Sequence, residues 1–339
     1  MSAGLTSSVV ILGAGSIGCF LAAHFASAGV KTTLVGRDWR KKELNEFGIT
    51  TTSFKGQQKT VPYSTFEFET EIPKAGGQIL FLCQKSFDVE PVLNEIKEKG
   101  YQKLVPLQNG LQAGKMVVQA FGSNQVARGI VPFNVLSKGQ GIFHQGTAGD
   151  LHLEDCPLGV EAARLLAYTG LSVKVKKEIE QYQWGKLIMN LNNPINALSG
   201  LPLKEQLAQR DYRVILAASI AESLRVLSKA KIKPARMGKV IPSLLPSLLP
   251  LPDWIFRILA AGMLKIDPQA RSSMWDDIKK GSQTEINFLN GEILEVAKFH
   301  EDATPVNAGI YELIKIAERS EPPGSQVFSP KELREKLMV

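Results

Sequence analysis

Cysteine and histidine are scarce in this sequence of 339 residues: three of the first and four of the second. Cys19, Cys83 and Cys156 are scattered and odd in number, and His24, His144, His152 and His300 form no H-E-x-x-H. No C-x-x-C pair and no mixed Cys/His ligand spacing occurs, so neither a metal site nor a disulfide framework is expected. A reduced, cytoplasmic, metal-free protein fits this usage. The opening "MSAGLTSS" is short, uncharged after the start and followed by a strand pattern, which does not read as a signal peptide. Long apolar runs are missing too. The stretch that comes nearest to a membrane span, "IPSLLPSLLPLPDWIFRILAAGML" (241–264), is interrupted by Pro242, Pro246, Pro250 and Pro252 and carries Asp253 and Arg257. Each proline removes a backbone donor, and a span needs about 20 mostly apolar residues with a satisfied backbone. The stretch therefore reads as a proline-rich loop leading into a short packed helix, either a lid over a pocket or a connection that covers core.

Acidic residues are fewer than basic ones. The net charge is +7 and the pI about 9.2. The basic runs "WRKK" (39–42), "KVKK" (174–177) and "KAKIKPAR" (229–236) are short and not interleaved with aromatics, as a single-strand nucleic-acid binder would require. They read as solvated faces that steer anionic small ligands, with neither nucleic acid nor membrane as a partner.

What is present is an ordinary globular balance, 44% hydrophobic and 22% charged, at a length comfortable for two domains. The first half alternates strand and helix. "SVVILGAG", "KTTLVGR", "GQILFLCQ" and "KLVPLQNG" are apolar strand-like runs, separated by helical patterns such as "SIGCFLAAHFASAG" and "DVEPVLNEIKEKG". This order predicts a parallel sheet covered on both faces. Residues 126–176 are richer in strands and could extend the same sheet in antiparallel fashion. From about 178 only helical patterns remain, including "IEQYQWGKLIMNLNNPINALSG" and "SSMWDDIKKGSQTEINFLNGEILEVAKFH". We expect an α/β domain of the Rossmann type over 1–177 and an all-helical domain over 178–339.

The first strand runs into "GAGSIG", in which Gly13, Gly15 and Gly18 spell G-x-G-x-x-G. Alone the pattern is weak. Between a strand and a helix at the start of a βαβ pattern it signals a dinucleotide site. Its glycines make the tight turn, let backbone approach a pyrophosphate and let the helix pack closely on the sheet. Gly13, Ala14, Gly15, Ser16, Ile17 and Gly18 are thus expected at the phosphates, aided by the helix N-terminus. Where NAD-binding sequences place a carboxylate for the ribose, this chain has Gly36 and then Arg37. An arginine suits a 2′-phosphate, so NADP(H) is expected over NAD(H), although the adjacent Asp38 pulls the other way. Lys85, just past the third strand-like run, reads equally as a second phosphate contact and as a solvated lysine.

Within "WGKLIMNLNNPINAL" (184–198), Lys186 and Asn190 lie four apart on one helical face, followed by Asn193. Burying these groups without partners would cost several kcal/mol, so the face is solvated, networked or part of a site. A lysine desolvated by its apolar neighbours would have a lowered pKa, which suits a general acid. Ser273 and Glu285 fall in the later helical stretch, twelve positions apart. They would share a pocket only if the helix ran along it or broke at Gly281. Taken alone, Lys186 also fits a solvated lysine and Glu285 a surface carboxylate.

With these segments in hand, the chain resembles the ketopantoate reductase family over nearly its whole length. That family reduces 2-dehydropantoate with NADPH on the way to pantothenate. The glycine loop, "QNG" at 108–110, "WGKLIMN", and "SSM" followed by "TEINFLNG" carry the likeness. The resemblance implies a Rossmann domain followed by a helical domain like the C-terminal one of 6-phosphogluconate dehydrogenase. It implies Asn109 beside the nicotinamide and the substrate, and Lys85 near the cofactor. It further implies Lys186 as general acid, Asn190 and Asn193 as substrate contacts, Ser273 at the substrate carboxylate, and Glu285 at the substrate hydroxyl and beside the cofactor. The partner implied is a small 2-keto acid, with a homodimer as the candidate assembly. Asn193-Pro194 comes one residue earlier than the family's usual asparagine-proline, and a helix bulge is expected there. The proline-rich stretch looks longer than in compact members. The alternatives are a reductase of another 2-keto acid and a dinucleotide-binding sensor without catalysis.

Overall fold

The computed structural model describes residues 8–259 and 270–339. The opening residues 1–7 and the end of the proline-rich stretch, 260–264, lie outside the described residues. The chain divides into two compact units, residues 1–179 and 180–339.

The first unit is built on a parallel sheet of five strands: β1 (Ser8–Leu12), β2 (Lys31–Val35), and, after β3 (Ile49–Ser53) and β4 (Gln58–Val61), β5 (Glu67–Glu69), β6 (Ile79–Leu82) and β7 (Leu104–Pro106). Their order is β5-β2-β1-β6-β7, and every pairing is parallel. The strands are apolar on both faces. Val9, Ile11 and Phe81 belong to one core, Val10, Leu12, Leu80 and Leu82 to another on the opposite face. A two-residue period placed in two cores is the signature of a sheet covered on both sides. The order reverses between β1 and β6, and it is outside the carboxyl ends of strands at such a point that open α/β sheets bind ligands.

Helix α1 (Ser16–Ser27) is apolar nearly all round, with Cys19, Leu21, Ala22, Ala23 and Phe25 inaccessible. A helix of that kind must be covered on every side. One side packs on β1 and β2. The other packs on β3, β4, β9 (Val135–Gly139) and β10 (Ile142–Gln145). Here the structure departs from expectation. Residues 126–176 do not extend the first sheet; an isolated parallel bridge, Leu104 to Val126, is the β-contact linking them to it. Instead β10 pairs with β9 and, in parallel, with β3, giving a sheet β4-β3-β10-β9. A third sheet joins β8 (Gly129–Ile130), β11 (Leu151–Glu154) and β12 (Val173–Lys176) in the order β12-β11-β8. The strands β3 and β4 offered the free edge, and α1 needed the cover.

The other helices of this unit are α2 (Asp38–Phe47), α3 (Leu93–Glu98), α4 (Gln112–Phe121) and α5 (Pro157–Tyr168). The helix expected over "DVEPVLNEIKEKG" shrinks to α3 behind two 3₁₀ turns, because Pro91 has no N–H and disfavours helical backbone before it.

The second unit is helical: α6 (Ile179–Asn190), α7 (Asn192–Ser199), α8 (Leu203–Ala208), α9 (Arg210–Lys229), α10 (Leu245–Leu248), α11 (Asp253–Leu259), α12 (Ser273–Lys279), α13 (Asn290–Phe299), α14 (Pro305–Ala317) and α15 (Pro330–Leu337). The irregularity expected near Pro194 is a break at Leu191 that separates α6 from α7. Pro194 then falls in the first turn of a new helix, where the missing N–H would have had no helical partner. α7 is central, packed on α8, α9, α12 and α14.

The proline-rich stretch is held by two cations of α9: Arg210 donates to the Pro250 carbonyl at 2.7 Å, and Arg213 makes the larger set of contacts. Arg213, on α9 and fully buried, donates to the carbonyls of Leu207, Leu249 and Leu251 at 2.7–2.9 Å, pairs with Asp253 and lies over the Phe256 ring. It satisfies carbonyls that a helix interrupted by prolines leaves over. α11 is less packed than expected: Phe256 is buried, while Trp254 and Ile258 are each 68% exposed. Among the described residues no helix is long and apolar enough to cross a membrane.

Candidate active site

In the first unit the site residues gather at the carboxyl ends of the strands. Gly13 leaves β1 with φ +110°, and a Cβ there would sit 2.4 Å from the backbone nitrogen of Gln84. A Cβ at Gly18 would sit 1.9 Å from the Gly13 carbonyl oxygen, so α1 can approach β1 only without one. Gly15 is the opposite case. It is exposed, and a Cβ there would meet no atom within 4 Å. Ala14, Ser16 and Ile17 complete the turn. No side chain caps α1 at Gly15, so its first N–H groups keep their capacity for an anion.

The backbone of Ala14 is fixed from an unexpected side. Arg40, in α2, is buried; its Nε donates to the Ala14 carbonyl at 3.1 Å. The guanidinium is flanked by Trp39 and Phe143 and paired with Glu43. Arg40 belongs to the run "WRKK", read above as a solvated face, and that reading fails at this residue. Arg37 precedes α2 and is exposed, as is Asp38. At the ends of the next two strands, the buried Ser86 hydroxyl donates to the Asn109 carbonyl at 3.1 Å. This bond ties the loop that carries Lys85 to the loop that carries Asn109.

In the second unit, Leu187, Ile188 and Leu191 are buried, while Lys186 and Asn190 on α6 and Asn193 on α7 are each half-buried. Burial lowers the Lys186 ammonium from its ordinary value of 10.5 to about 8, and the nearby Glu285 carboxylate opposes the shift. Lys186 and Glu285, 99 positions apart in sequence, are thus within electrostatic reach of each other. Glu285 is itself buried. It reaches this place because the long helix expected over 272–300 breaks. α12 ends at Gly281 (φ +62°), where the amides of Gly281 and Ser282 close back onto the carbonyls of Ile278 and Asp277. The segment then passes Thr284, whose N–H and hydroxyl both bond Glu318, directly after α14, at 2.8 and 2.7 Å. Lys315 pairs with Glu318 in turn.

Ser273 opens α12 and is exposed. Its neighbour Ser272 does the anchoring, capping the Trp275 N–H and donating to the Asn193 carbonyl at 3.1 Å, while its own N–H meets Asn196. These bonds lock the start of α12 onto α7 and so place Ser273 beside the segment that carries Asn193. Sequence reasoning missed Arg40, Ser272 and Glu318. Only Ser272 left a signal, a serine directly before an amphipathic run. Among the described residues no group of three or more His, Cys, Asp or Glu could hold a metal ion. Burial pushes the Cys19 thiol up to about 12 and the Cys83 thiol higher still, so neither is a nucleophile at neutral pH.

A doubly wound sheet with a glycine turn at its switch point, followed by a helical unit holding a desolvated lysine against a buried carboxylate, describes a two-domain oxidoreductase. Comparison with known proteins specifies which. Residues 9–157 match the family model "Ketopantoate reductase PanE/ApbA" and residues 178–318 its C-terminal counterpart, and the chain belongs to that family. It is 26% identical to the 2-dehydropantoate 2-reductase of Pyrococcus horikoshii, over 91% of this chain and 97% of that protein. Among solved structures, the PanE/ApbA family ketopantoate reductase from Ralstonia eutropha superposes with a TM-score of 0.76 at 22% identity, covering 92% of this chain and 98% of that one. D-mandelate dehydrogenase, solved with NADH and anilino(oxo)acetate, has a similar fold, with a TM-score of 0.75 at 18% identity and the same coverage.

Proposed function

We propose that the chain is an NADPH-dependent reductase of a 2-keto acid, with 2-dehydropantoate as the substrate and pantoate as the product. The observation that carries the reading is a half-buried Lys186, lowered to about 8 and within electrostatic reach of the buried Glu285, in a chain of this family. A general acid works best with a pKa near the working pH, and this lysine is close to it.

In this reading residues 1–177 hold the cofactor and 178–339 the substrate. The uncapped turn Gly13-Ala14-Gly15-Ser16-Ile17-Gly18 takes the pyrophosphate, where the open space at Gly15 admits it. Exposed Arg37 takes a 2′-phosphate, with Lys85 as a further cation and Asn109 toward the nicotinamide. Exposed Ser273 receives the substrate carboxylate, and Asn190 and Asn193 orient the remainder. When bound, the cofactor supplies a hydride to the keto carbon. Lys186 polarises the carbonyl oxygen and donates the proton that completes the hydroxyl, then regains one from water. Glu285 keeps the lysine protonated at neutral pH and accepts a hydrogen bond from the substrate hydroxyl.

A reductase of another 2-keto acid is the second reading. It is supported by a likeness of fold to D-mandelate dehydrogenase nearly as great as that to the ketopantoate reductase, and by the low identity to the named reductases. The test follows NADPH oxidation with ketopantoate beside a panel of bulky and aromatic 2-keto acids. Turnover confined to another acid moves the substrate and keeps the mechanism. Binding of NADPH without turnover on any acid favours a sensor.

A further inference from the structure

Two glutamines stand unexplained at the carboxyl edge of the parallel sheet. Gln84 follows β6 and Gln108 follows β7. Their strands are in register at Leu82 and Pro106, so each glutamine lies two residues past an aligned pair. The pairing continues beyond the strands through the Leu107 N–H to Leu82 carbonyl bond at 3.0 Å. Gly13 packs directly on the backbone of Gln84. Gln108 is 9% exposed and Gln84 partly buried, yet the amide nitrogen and oxygen of both side chains are buried without a hydrogen-bond partner. A buried carboxamide left so carries its full desolvation cost, and four such atoms in one place call for an external partner.

The chemistry narrows what that partner is. Each carboxamide must both donate and accept. A pyrophosphate only accepts and would leave both amide oxygens unsatisfied; a ribose diol does both. Location narrows it further. In a doubly wound sheet the two halves each take one mononucleotide. The glycine turn after β1 belongs to one half, and β6 and β7 belong to the other, across the reversal of strand order.

We propose that the side chains of Gln84 and Gln108 bind the hydroxyl groups of the ribose on the nicotinamide side of the cofactor. The inference rests on the dinucleotide-dependent reading above. It adds two positioning contacts that set the height of the nicotinamide over the sheet edge.

The test measures binding without turnover. Dissociation constants are determined by calorimetry for wild type, Q84L, Q108L and the unbranched Q84M and Q108M. The ligands are NADPH, 2′-phospho-ADP-ribose and 2′-phospho-ADP, of which only the last lacks the second ribose; NADH, ADP-ribose and ADP form the parallel series. Each substitution is expected to weaken the first two ligands of a series about tenfold and leave the third unchanged. The ligand-free Tm is expected to hold or rise, since an unpaired amide contributes nothing to it. Unchanged affinity for the ribose-bearing ligands overturns the proposal. So does an equal loss for 2′-phospho-ADP, or a fall of several degrees in the ligand-free Tm, which would make the amides structural. Failure of wild type to bind any dinucleotide defeats the underlying reading instead, and the two failures are distinct.

Discussion

Replacing Lys186 with methionine should make the protein more stable while abolishing its activity. Methionine keeps the length and flexibility of the lysine stem and removes the charge. The ammonium of Lys186 is lowered from 10.5 to about 8 by burial, even with Glu285 favouring the charged form. At about 1.36 kcal/mol per pH unit, the folded state gives up on the order of 3 kcal/mol at neutral pH to hold that charge. Methionine should recover much of it, which for a unit of this size is about 5–10 °C in Tm. The pH dependence gives the sign. The folded-state pKa lies below the unfolded one, so between about pH 8 and pH 10.5 the unfolded chain binds more protons, and wild-type stability rises with pH. The advantage of Lys186→Met is therefore full below about pH 8 and fades to roughly 1 kcal/mol by about pH 9.5. Thermal unfolding of both proteins at about pH 7 and pH 9.5 measures it. A variant no more stable at pH 7, or a difference that does not change with pH, refutes the desolvated lysine. A stabilised and inactive variant is the trade-off expected where a site holds a group its fold alone would not choose.

Three further outcomes follow from the geometry. Keto-acid reduction should decline as pH rises through about 8, because the proton donor is then lost; a pH profile of kcat that stays flat to 10 contradicts Lys186 as the acid. Gly18→Ala should cost about 3 kcal/mol or more in unfolding experiments, since its Cβ would meet the Gly13 backbone at 1.9 Å, whereas Gly281→Ala, with room but φ +62°, should cost about 1 kcal/mol. Glu318→Gln should lower kcat beyond its effect on Tm, because it loosens Thr284 and with it Glu285; equal kcat in a folded variant would show that Glu318 does not position the site.

Much of the first unit was legible because its strands are unbroken apolar runs and its turn must be glycine. The strands that were missed, "ITTTS", "QKTV" and "EFE", are short and polar, with only alternate residues such as Ile49, Thr51, Val61 and Phe68 buried. Without them the strands of 126–176 had no visible edge to join. The helices of the second unit were legible as periodic segments, and so were an irregularity near Pro194 and a possible break at Gly281, but not that the first falls at Leu191 or that the second ends the helix. Those breaks matter, since they carry Asn193 and Glu285 to their places. Arg40 was opaque for another reason. A buried arginine and a solvated one look alike in a basic run, and only the carbonyl of Ala14 and two aromatic rings tell them apart.

The central claim is that Lys186 protonates a keto acid as NADPH is consumed. The most direct measurement is NADPH absorbance with purified protein and ketopantoate, beside Lys186→Ala. The account predicts oxidation of NADPH by the wild type and a loss in the variant that falls on kcat far more than on substrate binding. An unchanged kcat in Lys186→Ala would contradict it.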